Sequence, residues 1–154
     1  MYDVCNRVAF AHVEEDVATK LKNQTVLVVD HDPAVGAFLE QILTDEGYRV
    51  RAAPDLDAAV KLLSSLRVDL VICNYVEPAY KRGDRWPVLE LFKQLANPGT
   101  PFIVLTTSPE DMQQNARELG VSDVIGKPFE LDTLVQRVAR AIAERRAGAT
   151  RRIP

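Results

Sequence analysis

Short apolar runs alternate along this chain with stretches whose apolar residues return every three or four positions. Thr25 to Val29 is a continuous run ending at Asp30, and a run of that length reads as a buried strand. Asp32 and Pro33 follow, an N-cap and a first-turn residue for a helix with Val35, Phe38, Leu39, Ile42 and Leu43 inward. Gly47 ends that helix. Tyr48 to Ala53 predicts a second strand, and Asp55 to Ser65 a second helix with Leu56, Ala59, Val60 and Leu63 inward. Val68 to Asn74 predicts the third strand. Pro87 to Leu95 begins a third helix, stopped by Asn97-Pro98-Gly99. Phe102 to Thr106 is the fourth strand, and Pro109 to Leu119 a fourth helix closed by Gly120. Val121 to Ile125 holds a short fifth strand. Glu130 to about Arg145 is the last helix, with Leu131, Leu134, Val135, Val138 and Ile142 inward. Five β/α units in series specify an α/β fold, a five-stranded parallel, doubly wound sheet with helices on both faces.

The two ends depart from this alternation, which divides the chain into an arm at 1–23, a domain at 24–146 and a tail at 147–154. In the arm, Phe10, Val13, Val17 and Leu21 fall at steps of three and four, which predicts a helix. Two readings stand side by side: a frayed segment lying on its own domain, or an arm that docks on a partner chain. The tail carries Arg151 and Arg152 after Arg145 and Arg146, and reads as a solvated helix end with a disordered extension.

Composition narrows the function. At 154 residues and 47% apolar, the chain has the material for one domain with a real core. A net charge of −3 argues against nucleic-acid binding, which favours a basic footprint. No apolar run approaches the ~18 residues a membrane helix needs. Asp3, Glu14, Glu15 and Asp16 at the start are unlike a secretory signal. Cys5 and Cys73 lie far apart, and Cys73 sits within an apolar strand as a small core residue. A reduced, cytoplasmic protein is the expectation.

The chemistry gathers where the strands end, because ligands of open α/β sheets bind at the carboxyl edge. Strand one delivers Asp30, His31 and Asp32; strand three Asn74; strand four Thr106; strand five Lys127. The segments are Val-Leu-Val-Val-Asp-His-Asp-Pro, Asp-Leu-Val-Ile-Cys-Asn, Pro-Phe-Ile-Val-Leu-Thr-Thr and Lys-Pro-Phe. In this order, over residues 24–146, they resemble the receiver domain of two-component response regulators. The resemblance implies a flavodoxin-like sheet in the order 2-1-3-4-5. It also implies phosphoryl transfer to an aspartate ending strand three, with Mg²⁺ held by an acidic pair after strand one. A hydroxyl residue and a lysine after strands four and five would contact the phosphoryl oxygens. Such a site needs a cation clamp and an anionic nucleophile in line.

This sequence keeps part of that set. Asp30, Thr106 and Lys127 match the first acid, the hydroxyl and the lysine. His31 stands where the second acid is expected, and imidazole is a poor Mg²⁺ ligand. Asn74 stands at the phospho-acceptor position, and a neutral carboxamide is no substitute for the nucleophilic carboxylate. Val124, three before Lys127, occupies the switch position that is often aromatic in the family. The resemblance implies a cis bond before Pro128. The stretch 79–87 is longer than the family usually has there. Its Tyr80, Lys81, Arg82, Arg85 and Trp86 suggest a partner-binding loop, with Trp86 more simply a loop anchor.

Plainer readings accompany each residue. Lys127 is expected to pair with Asp30 across a vacant pocket, and Asp32 to cap its helix. A transition-metal site from Asp30, His31 and Asp32 is disfavoured, because adjacent residues rarely converge on one ion. The sequence therefore reads as a stand-alone receiver-like module of a phosphorelay. It would act through protein contacts with a histidine kinase or phosphotransfer protein, without phosphorylation. No catalysis and no cofactor are expected, Mg²⁺ entering only if the acceptor were restored. A homodimer is expected, with no nucleic acid and no membrane. One alternative is an ordinary phospho-accepting regulator whose acceptor was changed to Asn74 by design. Another is a small-molecule binder or enzyme in the old pocket, against which stand the absent glycine-rich phosphate loop and the lack of a nucleophilic triad pattern.

Overall fold

A computed structural model of the chain describes residues 23–74, 94–110, 112–113, 116 and 120–150. Five parallel strands form one sheet in the order β2-β1-β3-β4-β5. They are β1 (Thr25–Val29), β2 (Arg49–Ala53), β3 (Leu70–Asn74), β4 (Phe102–Thr106) and β5 (Asp123–Gly126). Three helices are described in full: α1 (Pro33–Asp45), α2 (Leu56–Ser65) and α3 (Leu131–Thr150). Residues 109, 110, 112, 113 and 116 are helical within the fourth expected helix. Most of the third expected helix and residues 1–22 of the N-terminal arm lie outside the described residues.

Side-chain alternation sorts the strands onto two cores, since successive residues of a strand face opposite sides. Val26, Val28, Leu70, Ile72, Ile103, Leu105 and Ile125 face one side, where Leu39 and Leu43 of α1 meet Leu134, Val138 and Ile142 of α3. Leu27, Val71, Phe102, Val104 and Val124 face the other, against Ala59 and Leu63 of α2 and Met112. Burial of both faces explains why β1, β3 and β4 read as apolar runs, whereas the edge strand β2 leaves Arg49, Arg51 and Ala52 exposed.

The caps follow the sequence. Asp32 accepts from Ala34 N at 2.9 Å and Asp55 from Ala58 N at 2.8 Å, each satisfying an otherwise orphaned first-turn donor. Gly47 takes φ 96° after α1, a conformation costly for any residue with a Cβ. Three details differ from expectation. Phe38, Leu56 and Leu131 are exposed rather than inward, because each helix seats a stripe narrower than its full apolar set. β3 starts later than Val68, and β5 is shifted toward Gly126. The last helix runs on to Thr150; Ala147 favours helix, and Arg145 ties it to Asp69 O at 3.2 Å.

Candidate functional site

The parallel register places the strand ends side by side. Val29 lies opposite Cys73, Asn74 opposite Leu105, and Thr106 opposite Gly126. Asp30, one residue past β1, is therefore a neighbour of Asn74, and Lys127, one residue past β5, reaches toward both. The Lys127 amide extends the β4–β5 ladder by donating to Thr106 O at 2.7 Å. The Lys127–Pro128 peptide is cis, as the resemblance implied.

Asp30 is the buried acid of this edge, its side chain 1% exposed. Its Oδ1 accepts from Asp32 N at 2.9 Å and from Asn74 Nδ2 at 3.1 Å. Its Oδ2 is buried and accepts no hydrogen bond among the described residues. Lys127 Nζ donates to Asn74 Oδ1. The expected Lys127–Asp30 pair is thus replaced by a relay in which the Asn74 carboxamide stands between ammonium and carboxylate. Only one orientation of the amide satisfies both neighbours, its NH₂ toward the anion and its oxygen toward the cation. Both contacts are charge-assisted and stronger than neutral hydrogen bonds. The spacing of Asn74 from Asp30 and Lys127 in sequence gave no way to see this contact.

The remaining site residues fall around the relay. His31 lies outside it, its side chain 67% exposed and its Nδ1 3.7 Å from Asp30 Oδ1. Thr106 is buried, and its Oγ1 accepts from Ser108 N at 3.1 Å, so the hydroxyl is engaged in its own turn. Val124 is buried in the α2-side core rather than lining the edge. Gly126, which sequence reasoning passed over, lies so close to Pro109 that a Cβ there would meet Pro109 Cγ at 2.9 Å. The glycine directly before Lys-Pro was the available signal. Tyr80, Lys81, Arg82, Arg85 and Trp86 lie outside the described residues.

Beneath the edge, burial pushes the Cys73 thiol up to about 12, and the nearby Asp30 carboxylate pushes in the same direction. The thiol therefore stays protonated at neutral pH.

The donor set can be set against a magnesium ion, which takes hard oxygens in a near-octahedral shell. The free Asp30 Oδ2 is one such oxygen. The Asn74 oxygen is already held by Lys127, and His31 offers a nitrogen. Among the described residues no group of three His, Cys, Asp or Glu side chains is placed to hold a metal. Among the described residues the set leaves Asp30 Oδ2 as the uncommitted carboxylate oxygen, short of the shell magnesium takes.

Comparison with known proteins fixes the family. The response regulator receiver domain profile matches residues 26–139, and the chain belongs to that family. It is 31% identical over 121 residues to the DNA-binding transcriptional regulator NtrC of Rhizobium meliloti, covering 78% of this chain and 24% of that protein. It is 35% identical over 123 residues to the response regulator MprA of Mycolicibacterium vanbaalenii, covering 78% of this chain and 50% of that one. The chain thus spans half or less of the length of these curated relatives. Among solved structures, the non-phosphorylated HemR receiver domain of Leptospira biflexa superposes with a TM-score of 0.66 at 28% identity, covering 77% of this chain and 94% of that one. The signal receiver domain of an HD domain-containing protein from Pseudomonas fluorescens reaches 0.70 at 26% identity, covering 84% and 94%. The fold and the two-component signalling class are those of this family. No helix among the described residues is long and apolar enough to cross a membrane.

Proposed function

We propose that this receiver module signals without accepting a phosphoryl group, through contacts with protein partners such as a histidine kinase or phosphotransfer protein. The observation that carries the reading is the Asn74 carboxamide held between Lys127 and Asp30. The relay gives the lysine a partner where a phosphoryl oxygen would otherwise be its partner. It also offers no anionic nucleophile, and a neutral amide does not form the acyl phosphate. With His31 in place of an acid, the cation clamp that phosphoryl transfer requires is incomplete.

On this reading the domain spans 24–146, the arm at 1–23 serves assembly, and the charged loop at 79–87 meets the partner. The protein turns over no external substrate, needs no Mg²⁺ and works in the cytoplasm as a homodimer, with no nucleic acid bound by this unit. Exposure to acetyl phosphate and Mg²⁺, read by intact mass, tests the reading. An unchanged mass is expected, and a phosphoryl adduct on Asn74-bearing chains overturns it.

A further inference from the structure

We infer that Asn74 is a self-modification site, and that Lys127 and Asp30 hydrolyse its side-chain amide to aspartate. The inference takes the relay as its starting state and goes beyond the reading of a non-accepting receiver. Three observations bear on the Asn74 side-chain amide. Lys127 Nζ donates to Asn74 Oδ1, the oxygen that carries negative charge when water adds to Cγ. A fixed donor at such an oxygen is among the strongest single aids to acyl chemistry. Asp30 Oδ1 already touches Nδ2, the leaving nitrogen, at 3.1 Å. Asp30 Oδ2 has an unspent acceptor, on a side chain 1% exposed. The Asn74 residue itself is half-buried, so solvent reaches it.

The step balances with water as the only co-reactant. Water oxygen bonds to Cγ while Asp30 takes its proton and Lys127 holds the oxyanion. Asp30 then passes that proton to Nδ2, the C–N bond breaks, and ammonia leaves, carrying off the proton of the new acid as ammonium. One carboxylate thus serves as base and then acid, a role for which its contact with the leaving nitrogen fits it. The product is an aspartate beside Asp30 and Lys127, so the chain would carry its own route to the acceptor it lacks as synthesised.

The experiment ages the full chain at 37 °C and neutral pH without phosphodonor, and maps residue 74 by peptide mass spectrometry. Asn74 is expected to convert faster than the exposed Asn23 and Asn97 of the same molecule, and faster folded than in urea. The product is expected to be aspartate free of isoaspartate, because attack by water bypasses the succinimide. Lys127→Met, checked for folding by circular dichroism, is expected to slow conversion about tenfold or more. Lys127→Arg is expected to keep part of it. Conversion no faster than in urea, or a product rich in isoaspartate, overturns the inference. Neither result depends on whether the unaged chain accepts a phosphoryl group, so the two proposals fail separately.

Discussion

At the scale of single residues, the pocket is governed by what each neighbour does to a charge. The Asn74 amide neutralises nothing, yet it joins a cation and an anion that its sequence spacing left unconnected. Changing Asn74→Asp would place a second carboxylate beside Asp30, drawing Lys127 and a cation. Phosphorylation of that variant by acetyl phosphate is expected to stay weak, because His31 still occupies the second acid's place; robust Mg²⁺-dependent modification would show that His31 is tolerated. Cys73 gives a pH signature. In the unfolded chain its thiol ionises near the ordinary 9.0, whereas folded it holds its proton to about 12. Between those values the folded state binds more protons, so stability falls as pH rises, by at most about 1.4 kcal/mol per pH unit. Tyr48, also pushed up by burial, adds to the slope only above its ordinary 10.0. Urea midpoints from pH 8 to 10 are therefore expected to fall for the natural chain and to flatten for Cys73→Val. Equal slopes would contradict the buried thiol.

At the scale of elements, the strand ends were legible and the contacts between them were not. Asp30, Asn74, Thr106 and Lys127 could each be placed at the carboxyl edge, because continuous apolar runs ending in polar residues mark buried parallel strands. Caps were legible for the same local reason, since Asp32, Asp55 and Gly47 act on their own backbone. Helix faces were legible only in part. Phe38, Leu56 and Leu131 fit the apolar period yet are exposed, since which arc of a helix meets the sheet is set by tertiary packing. Pairing of Lys127 with Asp30 failed because the amide intervenes at a range that sequence periodicity does not encode. The close approach of β5 to the start of the helix after β4 was equally invisible. Gly126→Ala sets a new Cβ 2.9 Å from Pro109 Cγ, so the helix start or the strand end must give way. A loss of about 1–3 kcal/mol is expected in chemical unfolding, with amide shifts concentrated at residues 106–110 and 126–128. Unchanged stability would mean that the helix start yields freely.

At the scale of the whole molecule, the alternation of apolar runs gave a parallel, doubly wound sheet, and the strand order came from the family resemblance, with which the observed order and the family match agree. Assembly rests on other material. Phe10, Val13, Val17 and Leu21 fall at helical spacing in the sequence of the arm, and a helix of about 14 residues would be marginal alone in water. Burying four such side chains contributes ~1.5–3 kcal/mol each before ordering costs. A dimer by light scattering at micromolar concentration is expected, weakened by deleting residues 1–22; a monomer, or a dimer indifferent to the deletion, removes the arm from the interface. The central claim is the non-accepting pocket, and the direct measurement is intact mass of fresh chain, shown by peptide mapping to carry the amide at Asn74. After incubation with acetyl phosphate and Mg²⁺, the account predicts no added phosphoryl group and an unchanged amide spectrum. A stoichiometric, Mg²⁺-dependent phosphoryl adduct on that chain would contradict it.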